Sequence, residues 1–170
     1  MQMPTLLTNP MPYPEVCVKE PNIKYARAML DNIAGSNSET SAVALYFYNQ
    51  LVTSHETEIS KVFHDICITE MRHLEIFGSL ALQLGENPRL WTYTGQNLVY
   101  WTPGYMSYPL ELMNLLEFSI ESEREAIKKY EQQIRWIADP NIIANLKRIL
   151  VDERRHVQAL TQLYEKYSRR

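Results

Sequence analysis

Two stretches of this chain repeat the same offsets of acidic, small and aromatic residues, and that repetition leaves few folds open. ETSAVALY from Glu39 to Tyr46 matches EREAIKKY from Glu123 to Tyr130 in Glu, Ala, a β-branched residue and Tyr. Thirty-one residues after Glu39 stands Glu70, with His73 three places on; thirty residues after Glu123 stands Glu153, with His156 three places on. A helical hairpin brings two residues to one height only when they lie equally far from its turn. The midpoints fall at Ser54 and His55 in the first half and at Ala138 in the second, and turn signals stand at both. At a rise of about 1.5 Å per residue, each Glu pair sits roughly 22 Å from its own turn, near mid-length of a four-helix bundle. Positions i and i+3 are about 60° apart around a helix, so the Glu and His of each ExxH aim at one interior point.

Glu39, Glu70, His73, Glu123, Glu153 and His156 are therefore candidate metal ligands. Burying four carboxylates together requires counter-charge, and two divalent cations supply it. A set rich in carboxylate and poor in imidazole suits iron or manganese better than structural zinc. Tyr46 and Tyr130 lie seven residues after Glu39 and Glu123. They share the face of those glutamates to within about 20°, which suits them to hydrogen bonds that support the ligands.

The helical spacing of apolar positions predicts a short helix from Asn22 to Ala34 and then four long ones. These run from Ser36 to about Ser54, from Thr57 to Leu84, from Pro109 to about Ala138, and on to about Tyr167, with Asp139 and Pro140 as N-cap and first-turn proline of the last. With almost no strand signal, the chain reads as an all-α four-helix bundle. The loop from Gly85 to Tyr108 is long and aromatic, carrying Trp91, Tyr93, Tyr100, Trp101 and Tyr105. Its 24 or so residues can span roughly 80 Å, enough to cross the length of the bundle and set the second and third long helices parallel. The loop has three readings: a lid over a substrate, packing between copies, or cover for the bundle end. Five of nine prolines fall within residues 1–21, which predicts an extended arm ahead of a bundle domain at 22–170, laid over that domain or a neighbouring copy.

Composition narrows the function classes. A chain of 170 residues with 45% hydrophobic content suits one domain with a full core. Net charge is -3 and the basic residues form no stripe, which argues against nucleic acid as a partner. No apolar run approaches the roughly 20 residues of a membrane span, and the N-terminus has no secretory pattern. Cys17 and Cys67 make neither a disulfide framework nor a CxxC knuckle, so a cytoplasmic location is expected. An extended arm and an aromatic loop favour a homo-oligomer.

Several residues have rival readings. Glu39 also fits a capping box with Ser36. Asp152 reads either as an acceptor that orients a ligand imidazole or as an exposed acid. Cys67 reads either as a neighbour of the site or as a buried structural thiol. His64 is about 180° from His73 and is expected in solvent, as is His55 at the turn. Glu56, Glu58, Glu75, Glu121 and Glu125 read as solvated or helix-terminal charges.

At these residues the sequence resembles the ferritin-like di-metal carboxylate superfamily, which includes manganese catalases, rubrerythrins, bacterioferritins and ferritins. YPEVCVKEPN (Tyr13 to Asn22), TEMRHLEIFG (Thr69 to Gly78) and ILVDERRH (Ile149 to His156) look most like manganese catalases and their small spore-coat relatives, then rubrerythrins. The resemblance implies a ferritin-like bundle with Glu39, Glu70 and His73 on one metal and Glu123, Glu153 and His156 on the other. Glu70 and Glu153 would bridge, or Glu153 would stand off the metals as a catalytic proton-transfer base. It implies manganese or iron as cofactor and hydrogen peroxide or dioxygen as substrate, in oxidative-stress defence as a catalase or peroxidase. The alternatives are a ferroxidase or iron-binding role, and a structural spore-coat or cargo protein with a vestigial site. Two features depart from the relatives: Ala126 stands where rubrerythrins carry a further glutamate, and the rubredoxin CxxC module is absent.

Overall fold

The computed structural model describes residue 7 and residues 9–169. Its elements, in order, are α1 (Ile23–Ala34), α2 (Glu39–Val52), α3 (Thr57–Gln83), β1 (Trp91–Thr94), β2 (Asn97–Tyr100), a 3-10 turn at Pro103–Tyr105, α4 (Leu112–Trp136) and α5 (Pro140–Tyr167). The helices α2 and α3 form one hairpin and α4 and α5 the other, and α3 packs on α5 to join them. The turns fall at residues 53–56 and 137–139, where the ligand spacing requires them.

Local chemistry explains most boundaries. The Asn22 side chain caps α1 by accepting from the Tyr25 amide. Gly85 follows the last residues of α3 at φ 104°, in the left-handed region a glycine enters without a Cβ clash. Asp139 caps α5 through Oδ1, which accepts from the Asn141 amide at 2.9 Å, with Pro140 in the first turn. Its Oδ2 accepts from the Lys19 amide at 2.7 Å, so one buried carboxylate holds both a helix end and the extended arm. Asp139→Ala is expected to destabilise the fold by roughly 2 kcal/mol in urea unfolding.

Three sequence expectations need correction. The first long helix begins at Glu39, not Ser36: the Ser38 hydroxyl oxygen caps it by accepting from the Ser41 amide at 3.4 Å, while the Ser36 carbonyl takes the Ser41 hydroxyl at 2.8 Å. The third begins at Leu112, not Pro109: the Pro109 carbonyl accepts from the Tyr48 hydroxyl at 3.2 Å, and the Leu115 amide donates to the Glu111 carbonyl at 3.0 Å to open the helix. It also ends at Trp136, two residues early.

The largest correction is in the crossover, which holds an antiparallel hairpin pairing Trp91 with Tyr100 and Thr94 with Asn97. Its two-residue turn places Gly95 at φ 63°, and a glycine there suits the turns that match strand twist. Strand β1 packs against α1, with the Arg27 guanidinium 4.2 Å from the Tyr93 ring centroid. Trp91, Tyr93 and Trp101 lie against the core that includes Met29 and Leu30. The aromatic segment therefore covers the bundle, while Tyr105 and Met106 line a cavity.

The core divides into two apolar clusters. One holds Phe77, Leu80, Ile142, Leu146 and Ile149. The other holds Leu45, Phe63, Ile66, Leu116, Leu160 and Leu163. On α3 and α5 the segments Glu70–His73 and Glu153–His156 fall between them in sequence, so a charged layer lies at mid-height between two oily ones. The arm from Asn9 to Pro21 forms no helix and hydrogen-bonds to α3 and α5; residues 1–6 and 8 of the expected arm lie outside the described residues.

Candidate metal centre

Each long helix contributes to the buried layer: Glu39 from α2, Glu70 and His73 from α3, Glu123 from α4, and Glu153 and His156 from α5. All six are almost wholly removed from solvent, with both histidines at 0% exposure. Their donor atoms form two interlocking groups, Glu39, Glu70, His73 and Glu153, and Glu70, Glu123, Glu153 and His156, each within 4.8 Å. Glu70 and Glu153 belong to both groups.

Both imidazoles turn Nδ1 toward the carboxylates. His73 Nδ1 lies 3.0 Å from Glu70 Oε2 and 3.2 Å from Glu153 Oε1. His156 Nδ1 lies 2.9 Å from Glu70 Oε1, 3.2 Å from Glu153 Oε2 and 3.6 Å from Glu123 Oε2. The tyrosines cross over between the halves: the Tyr46 hydroxyl donates to Glu123 Oε1, and the Tyr130 hydroxyl donates to Glu39 Oε1. Each glutamate at the start of a repeat is thus steadied by the tyrosine of the other repeat.

Proton distribution follows from this crowding. Burial, with repulsion from Glu70 and Glu153, holds Glu39 well above the usual carboxylate range. Burial and Glu153 push Glu123 up to about 7. For Glu70 and Glu153 burial also acts upward, but the two imidazoles outweigh it and both groups end below their ordinary value. Burial acts downward on His73 and His156, and the carboxylates overcome it and raise both well above normal. Without metal, the cluster neutralises itself with protons that a bound cation would displace.

A pair of divalent cations fits this donor set on two grounds. Four carboxylates and two neutral imidazoles carry the charge that two such cations balance. In addition, buried Glu70 Oε1 and Glu153 Oε1 each meet an imidazole nitrogen, at 2.9 Å and 3.2 Å, without an aligned hydrogen bond, and an acceptor in that state is costly unless something cationic completes it.

Other expected residues sort clearly. Asp152 is fully buried, and its Oδ2 lies 3.4 Å from His73 Nε2, so the exposed reading is excluded. It also accepts from the Tyr13 hydroxyl, the Arg148 guanidinium and the Asn9 amide, each at 2.6 Å. Burial acts to raise it, but the bonds from His73, Tyr13 and Asn9 bring it down to about 2. Cys67 sits in the apolar cluster with Sγ 3.6 Å from the Val43 carbonyl, outside both donor groups. Glu39 points into the layer, not into a capping box. His64 is exposed, with Nδ1 2.8 Å from Gln50 Oε1. Replacing His64 by Ala should leave metal content unchanged by elemental analysis; loss of an ion would put the site on the opposite face.

A cavity of about 250 Å³ opens beside the layer, lined by Glu39, Glu70, Glu123, Glu153, Tyr46 and Tyr130 at its floor. Ala42 and Ala126 line it at matching places in the two repeats, three residues after Glu39 and Glu123. A longer side chain at either place would fill it. The sequence reading missed Tyr13, Asn9 and Arg148; only Arg148, four residues before Asp152 on α5, left a local signal.

Among the described residues no helix is long and apolar enough to cross a membrane. No curated protein matches the chain. The fold is similar to that of KatB, a manganese catalase from Anabaena PCC7120, with TM-score 0.83 and 22% identity over 94% of this chain and 80% of that one. A second structure, wild-type KatB from Anabaena, matches with TM-score 0.82 and 23% identity over the same shares. The all-α, ferritin-like bundle with its long crossover is thereby established. A family model for rubrerythrin matches residues 34–164, from before the first ligand candidate to beyond the last, and the chain belongs to the rubrerythrin family.

Proposed function

We propose that this chain is a di-metal carboxylate oxidoreductase that acts on hydrogen peroxide, with manganese or iron held by Glu39, Glu70, His73, Glu123, Glu153 and His156. The observation that carries the reading is the pair of buried donor groups sharing Glu70 and Glu153 beside a cavity. The manganese catalase among the similar folds supports peroxide as the substrate. When bound, the metal pair supplies reversible two-electron chemistry.

The chain's own groups define the rest of the mechanism. Ala42, Leu45, Ala126 and Phe118 give the cavity apolar walls that limit water and strengthen every interaction inside. Tyr46 and Tyr130 hold Glu123 and Glu39 in fixed orientations from across the bundle, so little reorganisation accompanies reaction. Glu153 lines the cavity beside the two imidazoles, which suits its carboxylate to take a proton from a peroxide and return it. Disproportionation of peroxide needs no outside reductant, because one peroxide is oxidised and the other reduced. Ala126→Phe is expected to keep the metal and lose most of the turnover, read as metal content against oxygen release.

A second reading has its own observation. Exposed Glu121 and Glu125 stand at the cavity mouth with Ser36 and Asn37, an acidic entrance that suits a cation. Iron would then be substrate, collected and oxidised at the site. Oxygen evolution on adding hydrogen peroxide to the manganese- or iron-loaded chain supports the first reading; Fe(II)-dependent oxygen consumption without evolution supports the second.

A further inference from the structure

The two halves of the metal centre repeat in their ligands but not in what stands behind them. Behind His73 lies Asp152, and every oxygen of that carboxylate is occupied. Oδ2 accepts from Tyr13 Oη and Arg148 Nη1, both at 2.6 Å, and faces His73 Nε2; Oδ1 accepts from the Asn9 amide at 2.6 Å. Arg148, itself buried, ties the same arm segment down by donating from Nε to the Met11 carbonyl at 3.0 Å and from Nη2 to the Asn9 carbonyl at 2.7 Å. Its guanidinium lies 4.2 Å from the Tyr13 ring centroid, and that ring meets His73 edge-on with centroids 6.1 Å apart. Pro10, Pro12 and Pro14 alternate through this stretch, so the arm loses less conformational entropy on docking than a freer chain would.

Among the described residues no carboxylate stands in the equivalent place behind His156. The residue before Glu153 is Asp152, while the matching residue before Glu70 is Thr69, which carries no carboxylate. The Thr69 hydroxyl donates to the Asp65 carbonyl at 3.1 Å within its own helix, and His156 Nε2 is buried without a hydrogen-bond partner among the described residues. A carboxylate on the far nitrogen of a ligand imidazole fixes its orientation and raises its basicity, and loss of such a partner typically weakens metal binding about 10–100-fold.

We propose that the N-terminal arm is a positioning device for one half of the metal centre: Asn9, Tyr13 and Arg148 fix Asp152 against His73, so the ion beside His73 is held more tightly than the ion beside His156, and arm docking and metal binding reinforce each other. The inference rests on the six-residue metal reading above. Coupling between two sites is reciprocal, so an arm that tightens the metal must itself be tightened by it.

The test uses the full chain loaded with Mn(II) and challenged with a chelator. Two release steps are expected from the wild type. Tyr13→Phe keeps the ring but removes the hydroxyl, and it should speed the slow step several-fold while leaving the fast one alone. Asp152→Asn should weaken the tighter ion by about 10–100-fold. Hydrogen exchange at the Asn9 and Met11 amides should slow on loading with Mn(II) in the wild type, and slow less in Tyr13→Phe, a response that general loosening of the fold would not produce. Two ions released alike, with Tyr13→Phe and the arm amides indifferent to metal, would overturn the coupling and leave the metal centre standing. A wild-type chain that takes up no Mn(II) or Fe(II) would overturn both.

Discussion

Replacing Glu70 and Glu153 together by Ala is expected to leave the chain without a paired metal centre, taking its metal content from two ions to none held through gel filtration. These two carboxylates are the only members common to both donor groups, and each lies within about 3 Å of both imidazoles by at least one oxygen (2.9 to 3.2 Å). Without them each ion would keep one histidine and one glutamate, too few to compete with water for a hard divalent cation. The fold should persist, because Ala suits the middle of a helix and the apolar clusters on either side of the layer are untouched. Elemental analysis and far-ultraviolet circular dichroism on the same sample separate the two effects. Retention of two tightly held ions with native helicity would show that the ions sit elsewhere.

Stripping metal from the wild type should lower its thermal unfolding midpoint by a wide margin. An ion that binds only the folded chain stabilises it by about 4 kcal/mol when its free concentration is a thousand times its Kd. Two ions give about 8 kcal/mol, which for a domain of this size corresponds to roughly 15–30 °C. The cause lies in the buried layer: burial and their neighbours disfavour the charged forms of Glu39 and Glu123 when no cation is there to offset them. Scanning calorimetry with and without excess Mn(II) reads the shift directly. The Glu70→Ala, Glu153→Ala double variant should show almost none, and an equal shift in both proteins would assign the stabilisation to ions bound outside the layer.

The helical bundle and the six-residue cluster were legible because helix geometry converts spacing into direction. Glu70 and His73 point the same way whatever surrounds them, and the distances of Glu39 and Glu70 from their shared turn are a matter of counting. The hairpin at 91–100 was not legible by the same means. Its strands are four residues each, Trp91 and Tyr93 on one face and Thr92 on the other are all at least half-buried, and so the alternation that marks a strand is blurred. The pair Gly95-Gln96 between WTYT and NLVY is the one local sign of a two-residue turn. The crossed tyrosines show a further limit. Tyr46 shares a helix face with Glu39, yet it donates to Glu123, because pairing across the bundle depends on how two hairpins dock. The arm lies further still from local reasoning: Tyr13 meets Asp152 across 139 residues, and nothing in the prolines around Tyr13 names its partner.

The most direct test of the account is anomalous diffraction at the manganese or iron edge from crystals of the metal-loaded chain. Two peaks are expected between α3 and α5, one bounded by Glu39, Glu70, His73 and Glu153 and the other by Glu70, Glu123, Glu153 and His156. A single peak, or peaks among the exposed acids such as Glu121 and Glu125, would contradict it.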